Sequence, residues 1–100
     1  MNNRMKTVFS ALAENEAFAR SAAAAFVMPL DPTVEELTEI KTAVSEAVSN
    51  SVIHGYSGWE DRSQAMVELE CEINGNGRVT IIVMDHGRGI ASALNTVFIL

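Results

Sequence analysis

The segment from residue 65 to residue 85 most constrains the fold, because it joins an alternating pattern, a turn sequence and an apolar run. In AMVELECEIN (65–74), apolar side chains alternate with three glutamates, which is the period-two pattern of a strand with one solvent-facing side. NGNG (74–77) supplies residues that tolerate positive φ in a tight turn. RVTIIVMD (78–85) is apolar on both faces towards its end, which predicts a return strand nearer the sheet centre.

A short strand and a first helix are predicted before this hairpin. MKTVFS (5–10) is rich in β-forming residues. ENEAFARSAAAAFVM (14–28) repeats apolar residues at helical spacing, and Pro29 prevents its easy continuation. Between the helical region and the hairpin, YSGWEDRSQ (56–64) is predicted to be a polar connection.

A second helix is predicted to run to about Ile53 and to end near Gly55. Two alternative N-terminal caps are predicted for this helix. Asp31 can cap with a proline following in the first turn, or Thr33 and Glu36 can form a capping box. The stripe expected to face the core consists of Leu37, Ile40, Val44, Ala47, Val48 and Ser51.

Length and composition favour one globular domain over residues 1–100. The net charge of −6 opposes direct nucleic-acid binding, since phosphate backbones would repel it. Cys71 is the single cysteine, which excludes an internal disulfide and fits a reducing compartment. The longest apolar stretch, at 21–30, is too short to span a bilayer, and the N-terminus does not resemble a signal peptide. We therefore expect a soluble cytoplasmic protein.

Glu46 and Asn50 lie one helical turn apart, on the side opposite the apolar stripe. Such a pair is most often a solvated surface. The same face also carries Ala43 and Ile53, which suggests that another part of the protein partly covers it.

DHGRGI (85–90) follows the predicted return strand. It can be a simple strand-exit turn, in which glycines adopt conformations that other residues avoid. Alternatively, Gly87 and Gly89 let the backbone approach a flat ligand, and the Asp85 carboxylate accepts a hydrogen bond from an exocyclic amine such as adenine N6.

Together, E-x-x-x-N on a helix and D-x-G-x-G after a strand resemble the N box and first G box of the superfamily named for gyrase, the heat-shock chaperone, histidine kinases and MutL. ENEAFAR (14–20), LDPT (30–33), the segment 36–56 and DHGRGI also resemble its sporulation anti-sigma serine kinases, over roughly the first ninety residues. The resemblance implies a Bergerat-type α/β two-layer sandwich, with a mostly antiparallel mixed sheet and helices on one face.

The resemblance also implies site roles, with ATP and Mg²⁺ as the bound groups. Asn50 would ligate Mg²⁺ beside the triphosphate. Glu46 would act as general base towards a serine hydroxyl of a protein substrate. Asp85 would select adenine, while Gly87 and Gly89 would shape the floor of the pocket.

Two further residues are candidates. Arg20 matches a family position on the partner-binding surface, and otherwise is a solvated helix arginine. His54 can approach the phosphates, or simply interact favourably with the dipole at the helix end. The implied partners are a sigma factor, an anti-anti-sigma protein substrate and a second copy of the chain, contacted through the N-terminal strand and first helix.

Family members continue into a lid and a second glycine-rich box, and ASALNTVFIL (91–100) does not resemble either. We therefore expect a fragment or an early-terminated product, truncated after the first G box, with doubtful kinase activity of its own. The apolar end would be awkward if exposed. Two alternative functions stay open: a module that binds nucleotide or a partner without chemistry, and an ATPase that acts without a protein acceptor.

Overall fold

The computed structural model describes residues 1–86 and 92–100. Two helices and four strands form the architecture, joined by short helical turns and loops. In chain order they are β1 (Asn3–Ser10), α1 (Glu16–Val27), α2 (Val34–Asn50), β2 (Met66–Ile73), β3 (Arg78–Asp85) and β4 (Ser92–Ile99).

The four strands form one sheet in the order β1-β2-β3-β4, and every neighbouring pair is antiparallel. The predicted hairpin joins β2 to β3. Its turn is closed by the Asn74 amide donating to the Arg78 carbonyl at 2.8 Å, and by the Gly77 amide donating to the Asn74 carbonyl at 3.1 Å. Gly77 has a φ of 76°, a conformation that favours glycine. The hairpin prediction is confirmed, with both of its strands inside the sheet.

Both helices pack on one face of the sheet, so the predicted α/β two-layer fold is confirmed. Ala19 and Ala23 of α1 are fully buried, and their small side chains let this helix approach the sheet closely. The aromatic rings of Phe9 and Phe18 meet edge to face at 5.8 Å between centroids and join β1 to α1. The buried strand residues of the core are Phe9, Val67, Leu69, Cys71, Ile73, Val79, Ile81 and Val83.

The opposite face of the sheet carries the glutamates of β2. Glu72 pairs with Arg4 at 3.3 Å, and Glu68 pairs with Lys6 at 3.2 Å. These ion pairs link β1 to β2 on the polar side of the sheet, and partly exposed pairs of this kind contribute only about 0–1 kcal/mol each. They confirm the predicted polar side of the alternating strand.

Cys71 points from β2 into the core and has no exposed surface. Burial, with a smaller contribution from the charge of Glu70, raises the pKa of this thiol to about 12. The thiol therefore stays protonated near neutral pH and behaves as a small apolar core residue.

The start of α2 decides between the two predicted caps. The Thr33 hydroxyl accepts the Glu36 amide at 3.1 Å, and the Glu36 carboxylate accepts the Thr33 amide at 2.8 Å. This is a complete capping box. Asp31 has a φ of 51° and precedes the helix without capping it.

Replacing Thr33 by alanine should lower the free energy of unfolding by about 1 kcal/mol, because an N-terminal amide of α2 loses its acceptor. Thr38→Ala is the matched control, since the Thr38 hydroxyl bonds only the Val34 carbonyl within the helix. Urea denaturation followed by circular dichroism measures both variants. Equal stability of Thr33→Ala and the parent chain would show that the box contributes nothing.

The predicted apolar stripe of α2 faces the core. Leu37 is half-buried and the other five positions are buried, Ser51 included. The α-helix ends at Asn50, and a π-helical turn over Ser51–Gly55 continues it. The prediction of a helical end near Gly55 is thus confirmed, with a wider last turn than expected.

Strand β4 was not predicted from ASALNTVFIL. It pairs with β3, and its register shifts beside Val83 and Met84. Phe98 and Leu100 pack against the core, whereas Ile99 is 68% exposed. Two residues of the apolar end, Phe98 and Leu100, are therefore used in packing. Neither helix of the described chain is long and apolar enough to cross a membrane.

Candidate functional site

Glu46 and Asn50 project from the exposed side of α2 into a groove beside α1. Both are exposed, and Glu16, Ser45 and Ser49 line the same groove. The 3.6-residue period of the helix places the two side chains one above the other. A carboxylate and an amide therefore face one solvent-filled space, open to a large polar ligand. The partial cover suggested by Ala43 and Ile53 is slight, because Ile53 is 57% exposed.

Arg20 of α1 borders this groove on its other side. Its Nη1 lies 3.1 Å from the Ser45 hydroxyl, to which it donates, and 3.9 Å from a Glu16 carboxylate oxygen. Arg20, Glu16, Ser45 and Glu46 also line the adjoining part of the groove. The structure thus brings the predicted partner-binding arginine of α1 and the predicted base of α2 to one groove.

Asp85 lies at the end of β3 and is only 8% exposed. Gly55, at the end of the helical region, lies beside it. A Cβ on that glycine would sit 2.6 Å from the Asp85 carboxyl carbon and within 2.8 Å of both of its oxygens. The π-helical turn that follows Asn50 is therefore in direct contact with the Asp85 carboxylate.

Asp85 does not line the groove that contains Glu46 and Asn50. It is joined to them through Gly55, five residues beyond Asn50 at the end of the π-helical turn. The predicted site therefore has two parts: the groove of Glu46 and Asn50 on α2, and Asp85 on β3 beside the end of the π-helical turn. A nucleotide also has two distinct ends, so Asp85 could contact its base while Glu46 and Asn50 face its phosphates.

Tyr56 was predicted to begin a polar connection, but it is 2% exposed and belongs to the core. Its hydroxyl donates to the Met66 carbonyl, and accepts the Met66 amide at 3.1 Å and the His86 amide at 3.3 Å. This side chain joins the end of the helical segment to the start of β2 and the exit of β3. The sequence signal for the burial of Tyr56 was its position directly after Gly55, at the end of the helix. The polar residues that follow it led to its assignment to a polar connection.

His54 is exposed in the last helical turn, and its carbonyl accepts the Ser57 amide at 3.2 Å. No polar side-chain contact involves it among the described residues, so both interpretations of His54 stay predictions. Gly87 and Gly89 lie outside the described residues.

The oxygen-bearing side chains of the groove suit a metal ion that binds together with the phosphates of a ligand. In the described part of the chain, no three His, Cys, Asp or Glu side chains are grouped so that they could hold a metal ion. Mg²⁺ is commonly held by one or two protein oxygens, with water and substrate phosphates as its other ligands. The exposed amide oxygen of Asn50, one turn from Glu46, suits that incomplete coordination.

Comparison with known proteins gives an independent result. Residues 9–96 match the family described as "Histidine kinase-like ATPase domain". A protein of Clostridium beijerinckii named "Anti-sigma F factor" is 54% identical over 89 residues, which cover 89% of this chain and 59% of that protein. A protein of the same name from Priestia megaterium is 49% identical over 90 residues, covering 90% of this chain and 59% of its own length.

The chain thus spans about three fifths of the length of these relatives. The family match extends from the end of β1 into β4 and includes the helix with Glu46 and Asn50 as well as the strand that ends at Asp85. The chain belongs to the histidine kinase-like ATPase domain family.

Proposed function

We propose that this chain forms the nucleotide-binding part of an ATP-dependent protein serine kinase that also binds a sigma factor and phosphorylates the anti-anti-sigma antagonist of that factor. The observation that carries the proposal is the pairing of Glu46 and Asn50 in an open groove, on a helical segment whose end contacts Asp85. Relatives of 49–54% identity that are named "Anti-sigma F factor" support the sigma-factor part.

Asp85 is suited to recognise the base. An ionised carboxylate only accepts hydrogen bonds, and the exocyclic N6 amine of adenine only donates at that edge. Because Asp85 is 8% exposed, water competes weakly with such a bond. The same carboxylate would oppose the oxygen that hypoxanthine and guanine carry at C6, so the site should prefer ATP.

Asn50 and Glu46 are suited to the phosphate end. Mg²⁺, ligated by the Asn50 amide oxygen, would neutralise charge on the phosphates during transfer. The exposed Glu46 carboxylate can receive the proton of an incoming serine hydroxyl. In that step the serine oxygen forms a bond to the γ-phosphorus, the bond between the γ-phosphorus and the bridging oxygen breaks, and ADP leaves.

The groove is also open to a protein partner. Arg20 uses Nη1 for both of its described contacts, and the guanidinium group has five N–H donors in all. Donors that point away from the chain can bind a carboxylate of a partner, so we propose Arg20 as a partner contact. The placement of Arg20 beside Glu46 would bring a bound substrate close to the base.

Self-association through the N-terminal elements is part of the proposal. β1 is an edge strand of the sheet, and unpaired strand edges favour pairing with another chain. The side chains of Val8, Leu12 and Phe18 in this region are 49–51% exposed. These features support a homodimer that uses β1 and α1.

Partner capture and phosphate transfer test the proposal in the full-length protein that contains this chain. With γ-labelled Mg-ATP, label should pass to a serine of the anti-anti-sigma protein, and the sigma factor should be retained on the immobilised protein. Partner retention without label transfer would instead favour a binding module, and phosphate release without any labelled acceptor would favour a plain ATPase.

Arg20→Ala should weaken binding of the sigma factor about tenfold, the effect of losing roughly one charge-assisted hydrogen bond. Affinity for Mg-ATP should stay unchanged. Arg78→Ala, an exposed arginine on β3, is the matched control. Surface plasmon resonance measures both variants, and unchanged sigma-factor binding by Arg20→Ala would remove this residue from the interface.

A further inference from the structure

The junction between the helical segment and the sheet is formed by two consecutive residues, Gly55 and Tyr56. Gly55 is buried, and its backbone lies against the Asp85 carboxylate, where any Cβ would be closer than atoms normally approach. A side chain at this position would have to displace the carboxylate or the turn. Gly55 therefore sets how closely the two parts of the site meet.

Tyr56 fixes the same junction through hydrogen bonds. Its hydroxyl is bonded to both backbone groups of Met66 and to the amide of His86, the residue that follows Asp85. The phenolic group thus accepts two amides and donates to one carbonyl, its full capacity. Because these partners belong to β2 and to the exit of β3, one buried side chain holds both to the end of the helical segment.

The segment after Tyr56 closes over its ring. Trp59 meets the ring edge to face at 4.7 Å between centroids, and the Arg62 guanidinium carbon lies 6.0 Å from the ring centroid. Arg62 also donates to the Val52 carbonyl within the π-helical turn. The tyrosine, the turn and the connection therefore form one packed unit beside Asp85.

We propose that Tyr56 is a positioning residue for base recognition, with Gly55 providing the close approach. By holding the His86 amide, the Tyr56 hydroxyl fixes the backbone next to Asp85, and so fixes the direction in which that carboxylate accepts a hydrogen bond. The inference rests on the proposed nucleotide-binding function and assigns a specificity role to residues beyond the Glu46, Asn50 and Asp85 constellation.

The test compares ATP with inosine triphosphate, which has an oxygen in place of the N6 amine. Tyr56→Phe keeps the ring and removes only the hydroxyl. Its preference for ATP over inosine triphosphate should fall about tenfold, the effect of losing one well-oriented hydrogen bond. Isothermal titration calorimetry with the Mg²⁺ complexes gives both dissociation constants. Gly55→Ala, which pushes against the carboxylate itself, should reduce the preference at least as much.

Ile73→Val is the control for an effect that comes only from lower stability. This variant removes one buried methylene group at the opposite end of β2 from Met66. It should lower the melting temperature without changing the ratio of the two dissociation constants. An unchanged ratio in Tyr56→Phe would overturn the inference, and so would an equal fall in the control.

Hydrogen exchange separates this inference from the proposed function. In the chain without nucleotide, Tyr56→Phe should expose the amides of His86 and Met66 to exchange at least about tenfold faster, because each loses its acceptor. If the parent chain bound neither nucleotide, the proposed function would fail while this measurement still reported on the junction. Unchanged exchange of the His86 amide would overturn the positioning role whatever the binding result.

Discussion

Replacing Glu46 by glutamine should lower the rate of phosphate transfer to the protein acceptor about a hundredfold and leave the affinity for Mg-ATP nearly unchanged. Glutamine keeps the shape of the side chain and cannot take up the serine proton. The factor lies at the low end for general bases, because positioning and metal charge dominate phosphoryl transfer. Quenched-flow measurement of labelled product under single-turnover conditions isolates the chemical step from product release.

Glu39→Gln is the matched control for this variant. Glu39 is exposed on the same helix and does not line the groove of Glu46 and Asn50. The control removes the same charge without touching the proposed site. If both variants transferred phosphate at the parental rate, Glu46 would not be the base, and the groove would need another role.

The second large effect is expected at Asp85. Replacing it by alanine should weaken ATP binding about a hundredfold, since a buried acceptor for the N6 amine is lost. Affinity for inosine triphosphate should change much less, because that nucleotide cannot donate at this position. The two nucleotides should therefore bind the variant with similar dissociation constants.

Isothermal titration calorimetry with each nucleotide measures both affinities. General destabilisation of the variant would weaken both affinities to the same extent, so a change in their ratio reports on base recognition. Asp61→Ala is the control for charge, because Asp61 is exposed in the connection after Tyr56. If Asp85→Ala still bound ATP more tightly than inosine triphosphate, Asp85 would not be the residue that recognises adenine.

The predictable part of this fold consists of elements with strong local signals. The alternation in β2, the turn at 74–77 and the capping box of Thr33 and Glu36 each depend on residues close in sequence, and the structure contains all three. β4 lacks such a signal, because ASALNTVFIL does not alternate clearly between apolar and polar residues. Its residues 96–99, TVFI, are individually β-forming, and its place in the sheet is set by its pairing with β3, which local sequence does not encode.

The candidate site likewise combines a feature that local sequence predicts with contacts that it does not. The shared face of Glu46 and Asn50 follows from helical periodicity, and the structure has it. The contact between Gly55 and Asp85 joins residues thirty positions apart, so no local pattern encodes it. The burial of Tyr56 likewise depends on Met66 and His86, which are distant in sequence. The roles predicted for the site residues stay predictions: Glu46, Asn50, Asp85, Arg20, His54, Gly87 and Gly89.

The central claim is that Asn50 on α2 and Asp85 at the end of β3, which contacts Gly55 in the turn after Asn50, act on the same nucleotide. Titration of the ¹⁵N-labelled chain with a non-hydrolysable Mg-ATP analogue, followed by heteronuclear NMR, tests it directly. Resonances of the Asn50 side-chain amide and of the Asp85 backbone amide should both shift, with one common dissociation constant. Nucleotide binding that shifts only one of them, or no binding at all, would contradict it.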